Sequence, residues 1–320
     1  MFNTSNNQDI VQTKLDKLFF QEFSTPNMGP GYVDVTYPIF NQKTADKKFV
    51  QTEVNASTGL FVQTPEGQAV NVDAPQIGNY VSTEMLKFTQ SIQVTLEMMK
   101  DSMFDVVEKN VKDLATRAKT SMNTNGFAVF RNAFTTQLTP DGVSFINAAH
   151  PLIKGGTESN LLATADIVGA PATTVLTSAS LDAAIQKLAI QRDQAGVLVG
   201  SGASYLVVPP KLLRLAIQLT SSVLEGDSST NAINVFRSDT GIRVVCSQFL
   251  GASPAGLGGS DTAWFVMATN HGVNRYVREG LTTLISDMSN SNNLSYNYTA
   301  YYRENYETLD YAGIIGSTGL

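Results

Sequence analysis

Chemistry near neutral pH needs a base, a nucleophile or a metal ligand, and this chain offers few. Its histidines are His150 and His271, and its one cysteine is Cys246. His150 precedes Pro151 in a loop, where it could act as a base or a ligand. The plainer reading is a turn residue hydrogen-bonded to nearby backbone. His271, in Asn270-His271-Gly272, reads the same way. The two are not spaced as paired ligands on one helix face, so no zinc site is expected. Cys246 ends the apolar run Val244-Val245-Cys246 and reads as a small buried hydrophobe rather than a nucleophile.

Other motifs are as thin. Gly200-Ser201-Gly202 begins like a phosphate loop but lacks the third glycine and the lysine-threonine ending, so a hairpin is expected there. Ser204 is not in a G-x-S-x-G elbow. The acidic residues are scattered. The Tyr-rich tail carries too little Arg and Lys to stack nucleic-acid bases. The expectation is no catalytic residue, no cofactor-binding residue and no metal ligand set. A long chain without a convergent polar site reads as building material, not as an enzyme.

The totals agree. The chain has 320 residues, 42% of them hydrophobic, which supports a real core. A net charge of -6 disfavours sequence-independent DNA binding and binding to a membrane surface. One cysteine excludes an internal disulfide. No apolar run approaches the ~20 residues needed to cross a bilayer, and the polar stretch Met1 to Asn7 has no signal-peptide core. A reducing cytoplasm is the expected compartment, where the sequons at Asn3, Asn55, Asn293 and Asn297 carry no meaning.

The elements are hung on residues 101 to 134, which read as one amphipathic helix of about 50 Å at ~1.5 Å per residue. Ser102 and Asp105 form the expected cap. Phe104, Val107, Val111, Leu114, Ala118 and Met122 make one apolar stripe. Asp105 with Lys109, Glu108 with Lys112 and Asp113 with Arg117 are expected ion pairs of ~0.3 kcal/mol each. Gly126 is expected to kink or cap the helix. Such a rod belongs in an elongated subunit.

Residues 1–50 read as an arm that packs on a neighbouring copy. It carries a short helix near Leu15, Leu18 and Phe19, the breakers Pro26, Gly29, Pro30 and Gly31, and a strand from Tyr32 to Tyr37. Residues 50–85 read as a projecting hairpin with strands such as Leu60-Phe61-Val62. Ile92, Val94, Leu96 and Met98 alternate as a strand before the helix. A turn at Thr139-Pro140-Asp141-Gly142 and a loop-rich section from Asn147 to Thr174 follow it.

Residues 176–275 read as an α/β lobe. It holds a helix capped by Ser180, buried strands at Tyr205–Val208, Ile242–Val245 and Ala263–Ala268, and a helix through Leu212–Leu219. The tail, with Leu294, Tyr296, Tyr298, Tyr301, Tyr306 and Tyr311, reads as long strands that pair with the strand before the helix.

A series of motifs then carries a resemblance. In order they are Val94-Thr95-Leu96-Glu97-Met98 with Asp101, Asp141-Gly142-Val143-Ser144-Phe145, His150-Pro151, Asn160-Leu161, Gln191 with Asp193 and Gly196, and Leu206-Val207-Val208-Pro209-Pro210-Lys211-Leu212. Over residues 80–270 this chain resembles the major capsid proteins of tailed phages, with the shell fold named after phage Hong Kong ninety-seven. The likeness is greatest to the Mu-like major head subunit branch. The resemblance implies an α+β fold with an N-terminal arm (1–50) and an extended loop over the neighbouring subunit (51–85). It implies a peripheral domain (86–175 and 276–320) around the long spine helix, and an inserted axial domain (176–275).

The function implied is self-assembly, through hexamers and pentamers, into an icosahedral head shell around packaged double-stranded DNA, without sequence-specific binding and without a membrane. Localisation in the virion and assembly in the host bacterial cytoplasm follow. No long charged helical segment precedes the arm, so a separate scaffolding protein is expected beside a portal. Some members crosslink a loop lysine to an asparagine of a neighbour. Lys43, Lys47 and Lys48 lie near the loop, but nothing marks such a pair. The alternatives are an encapsulin-like compartment shell and, in a different class, a cytosolic hydrolase using His150.

Overall fold

A computed structural model describes residues 4–25, 32–95, 98, 104–169, 171–222, 234, 236, 241–252, 257–286 and 295–320, with only the backbone given for 4–11 and 104. Phe104–Arg131 forms one unbroken helix, here α2. At ~1.5 Å per residue it is about 42 Å long. The expected cap at Ser102, with Asp101, lies outside the described residues. Val107, Val111, Leu114 and Met122 are buried as the stripe requires. None of the three expected ion pairs along it forms. These side chains are solvated, and holding two of them together costs as much rotamer freedom as the contact returns.

Gly126 neither kinks nor ends α2. A Cβ there would lie 2.3 Å from Cγ1 of Val35 and 2.9 Å from Cζ of Tyr306. The glycine is there so that the arm and a strand can approach the helix closely.

Two four-stranded sheets flank this rod. One has the order β1 (Asn41–Thr44), β10 (Val273–Ile285), β11 (Ser295–Thr308), β4 (Leu86–Thr95). β11 runs antiparallel to β4, with Tyr298 opposite Ile92 and Tyr302 opposite Phe88. The tail thus pairs with the strand before the helix, as the aromatic alternation requires. Of the expected alternation, Leu96 and Leu294 lie outside the described residues.

The other sheet has the order β12 (Ile314–Ser317), β9 (Trp264–Ala268), β7 (Ala203–Val208), β8 (Arg243–Cys246). Helices α3 (Ser178–Ala189) and α4 (Leu213–Ser221) pack on it around Trp264, Leu181, Leu206 and Ala216. The last strand, β12, crosses from the tail into this sheet beside β9. Thr177 caps α3, and Ser180 is its reciprocal partner three residues on rather than the cap itself. Thr177 sits where the backbone is extended and its hydroxyl meets the Ser180 N–H. The chain reverses between Arg192 and Leu198, with Asp193 N–H donating to Val197 O at 2.8 Å. Gly200-Ser201-Gly202 only leads into β7.

The arm departs most from expectation. Its helix, α1 (Thr4–Ser24), is long and packs along α2 of the same chain. Phe19 meets Tyr298 edge-on at 6.2 Å, and Asp16 Oδ1 accepts from Thr283 Oγ1 and Tyr298 OH, both at 2.7 Å. Tyr32 makes a single bridge to Cys246, and residues 35–40 turn rather than extend. Ile39 and Phe40 are buried, Phe40 edge-on to Phe127, Phe130 and Tyr306. The arm therefore completes the core of its own subunit, because Tyr32 to Phe40 supplies the apolar face that the sheet and α2 lack.

β2 (Phe49–Ala56) and β3 (Gln76–Glu84) form a two-stranded ribbon. Leu60-Phe61-Val62 is not a strand: residues 57–75 have no ladder partner and are all exposed. A Cβ at Gly78 would lie 2.2 Å from both Ile153 Cδ1 and Val54 O, so the ribbon rests against the loop after β5 (His150–Pro151), which pairs with β6 (Thr157–Glu158).

Candidate functional site

His150 is wholly buried, and the Asp-Gly and Asn-Leu pieces of the motif series meet at it. Its Nδ1 is 2.6 Å from Asp141 Oδ2, and its Nε2 donates to Asn160 Oδ1 at 3.1 Å. Asn160 in turn accepts from Asn147 N–H at 2.8 Å and donates from Nδ2 to Phe145 O at 2.8 Å. The Asp-Gly, His-Pro and Asn-Leu pieces are therefore one hydrogen-bonded knot. Burial pushes the Asp141 carboxyl up, but hydrogen bonds from His150, Thr139 and Val143 N–H outweigh it and hold the carboxyl below its usual value.

The knot ties the loop to distant chain. Tyr311 stacks on His150 and donates from its hydroxyl to Arg192 O at 2.9 Å. Gln191 donates from Nε2 to Tyr311 O at 3.3 Å, and its Oε1 accepts from Gly313 N–H at 2.9 Å. Gln194 donates to Asp310 Oδ1 at 3.0 Å. The two ends of the long loop, the turn after α3 and the start of β12 are thereby held together. Nothing in the local sequence marked Tyr311 or Asp310 as partners of His150.

Such a knot presents no base. Both ring nitrogens of His150 are engaged and no face of it meets solvent. The hydrolase reading needed that ring to face a substrate. His271 is also buried. Its Nδ1 accepts from Val273 N–H at 3.2 Å, and burial lowers it to about 4. Cys246 is buried and pushed up to about 12 by burial, so it carries no thiolate at neutral pH. Among the described residues, no group of three or more His, Cys, Asp or Glu side chains is placed to hold a metal ion.

The conspicuous surface is the ribbon. Leu60, Phe61 and Val62 are 76%, 107% and 63% exposed. At its base, Glu307 accepts from Thr52 and Thr83, one on each ribbon strand, at 3.4 and 3.2 Å. Nearer the tip, Asp73 Oδ2 accepts from Gly59 N–H at 2.6 Å and from Lys154 Nζ at 2.7 Å. Of the loop lysines, Lys48 pairs with Glu84 at 2.9 Å and Lys43 lies over the Tyr276 ring.

A shell-forming subunit is the class this architecture defines: a long spine helix, two sheets, an arm and an exposed apolar ribbon. The chain belongs to the phage capsid protein family, whose model, described as "Phage capsid protein", matches residues 80–316. No curated protein matches this sequence.

Solved structures agree on the fold. The capsid of a native GTA particle is 14% identical with a TM-score of 0.55, covering 92% of this chain and 93% of that one. The procapsid of bacteriophage JBD30 is 12% identical with a TM-score of 0.52, covering 99% of this chain and 76% of that one. A virus-like particle from Pyrococcus furiosus is 9% identical with a TM-score of 0.50, covering 95% and 98%.

The fold is the Hong Kong ninety-seven shell fold, and the protein is a head shell protein that assembles with copies of itself into the capsid of a virion. The family match does not favour an encapsulin-like compartment. No helix of the described residues is long and apolar enough to cross a membrane.

Proposed function

We propose that this chain builds an icosahedral head, through hexamers and pentamers, around double-stranded DNA. Residues 86–175 and 276–320 form the peripheral domain and 176–275 the axial domain, with β12 as the strand that joins them. Residues 51–85 form the loop that lies over a neighbour. The subunit is structural and carries no catalytic, cofactor or metal residue. A separate scaffolding protein and a portal act with it, and assembly takes place in the host bacterial cytoplasm. The closer likeness to the Mu-like branch rests on the motif series alone. The negative balance of the chain suits an inner wall that must let DNA enter and leave freely.

One observation carries the loop assignment. Residues 57–75 expose Leu60, Phe61, Val62, Val70 and Val72 at a ribbon tip with no buried residue of its own. Contiguous exposed apolar surface of this kind marks a binding face, so burial is completed between subunits. The test is to replace residues 57–75 with a two-residue turn and examine the product by negative-stain electron microscopy. The expected product is folded subunits that no longer close into shells. Normal shells from the shortened chain would overturn the loop assignment. Absence of shells, tubes or hexamer sheets from the unaltered chain, alone and with its genomic neighbours, would overturn the icosahedral reading.

A further inference from the structure

The ribbon needs support from outside itself, because a lone two-stranded hairpin is marginally stable and free to bend. Three contacts along its length supply that support. At the base, Glu307 of β11 accepts from Thr52 of β2 and Thr83 of β3. Farther out, the β2–β3 ladder slips between Glu53 and Asn55, a bulge that leaves Val54 out of register. A bulge bends the strand that carries it, so the ribbon takes its direction here. Ile153 packs at that bend. A Cβ on Gly78 would lie 2.2 Å from Ile153 Cδ1 and 2.2 Å from Val54 O, so Gly78 is the notch that admits Ile153. Beyond the bulge, Lys154 Nζ donates to Asp73 Oδ2 at 2.7 Å, and the same oxygen accepts from Gly59 N–H at 2.6 Å. One carboxylate therefore joins both limbs of the excursion 57–75 to Lys154.

Ile153 and Lys154 come from a stiff source. They lie in the tight connection between β5 and β6, where Leu152 N–H donates to Gly156 O at 3.0 Å and Gly155 and Gly156 take positive φ. One root of that hairpin is His150 of the buried knot. A second tie runs from Lys154 N–H to Gln194 O, at 3.3 Å, in the turn after α3. These contacts bury little, since residues 57–75 are all exposed and Ile153 is only partly buried. What they fix is a direction.

We propose that the β5–β6 hairpin is a bracket that holds the ribbon of its own subunit at one angle before any neighbour binds, with Ile153 and Lys154 as its positioning residues. A ribbon held at one angle has less freedom to lose on docking, so assembly contacts form more readily. The bracket acts within one chain, and its consequence for assembly rests on the shell reading above.

The test measures the angle directly, in subunits before assembly. Nitroxide labels are placed at Gln68→Cys on the ribbon tip and Thr136→Cys on the body, both exposed, in a chain whose native Cys246 is buried. Pulsed electron paramagnetic resonance then gives the distribution of distances between them. A narrow distribution is expected in the parent and a broad one after Ile153→Ala with Lys154→Ala. Lys154→Ala alone should broaden it in part while keeping the melting temperature of the parent, because a solvent-screened ion pair adds little stability. An unchanged width in both variants would overturn the bracket. Without the labels, Lys154→Ala should give fewer closed shells than the native chain at equal subunit concentration. A broadened ribbon that still closes into shells at native yield would overturn the role in assembly. Absence of shells from the unaltered chain would overturn the shell reading and that role with it, while the label distances still decide the bracket.

Discussion

The ring of Tyr311 lies over the imidazole of His150, centroids 4.7 Å apart and planes 20° from parallel. The contact joins the start of β12 to a loop far earlier in the chain, and the hydrogen bonds to Asp141 and Asn160 hold the imidazole in place for it. His150→Ala removes the stacked ring and leaves a buried carboxylate and a buried amide without their partner. The expected loss is ~3 kcal/mol of subunit stability. Chemical denaturation checks it, and an unchanged midpoint would show that the knot is incidental.

His271 sets an acid limit. Burial lowers it from 6.5 to about 4, so the unfolded chain takes up this proton first as pH falls. Its contribution is complete above about pH 6.5 and is lost as the pH falls towards about 4. A shift of this size corresponds to ~3 kcal/mol. The carboxyls of Glu304 and Asp310 are raised by burial and act with the opposite sign. The comparison is therefore between the native chain and His271→Asn. The melting temperature of the variant should gain on that of the native chain as the pH falls from 6.5 to 4, and parallel curves would contradict the assignment.

Gly126→Ala tests close approach against helix propensity. Alanine in a helix interior is worth ~1 kcal/mol over glycine. Here the added methyl would meet Val35 and Tyr306 at less than contact distance. Overpacking of a rigid neighbourhood costs ~1–3 kcal/mol, so the net effect should be a lower melting temperature. A rise would mean that the arm at Val35 yields freely.

Arg275 and Glu304 form a buried ion pair, with Nη2 to Oε2 at 2.6 Å and Nε to the same oxygen at 3.0 Å. Glu304→Gln leaves the guanidinium buried without its counter-charge and should cost ~3 kcal/mol. Arg275→Met combined with Glu304→Leu removes both charges and should cost less than the single change. Equilibrium unfolding of the three chains decides it; a double variant weaker than the single one would mean that the pair is a net stabiliser.

Phe19→Ala probes the arm. Phe19 of α1 is fully buried, in a cluster with Val111 and Leu114 of α2 and Tyr298 of β11. Its truncation should cost ~3 kcal/mol and raise hydrogen exchange in α1 before the rest of the chain. Uniform exchange would mean that α1 is not a separable unit.

Periodicity made much of this protein legible. The apolar stripe of α2, the buried runs of β7, β8 and β9, and the alternating tyrosines of β11 follow from the spacing of side chains along a helix or a strand. That spacing is a local property of the backbone, so a single sequence carries it. The thinness of the catalytic inventory was legible in the same way, because residue types can be counted. The motif series named Asp141, His150, Asn160 and Gln191, though not that they meet.

What needed the tertiary structure is everything that depends on residues far apart in the chain. Gly126 looked like a break because its partner Val35 is distant, and the arm looked unpartnered because its partners lie in α2 and β11. Leu60 to Val62 has strand-forming composition, yet a strand needs a neighbour to pair with, and none lies beside it in this subunit. The sequence by itself determined which segments could be helix or strand and how little chemistry they hold. Tertiary contact decided which of them found a partner inside the subunit and left the ribbon tip with none, because burial is settled by what lies across the fold and not by what lies next in the chain.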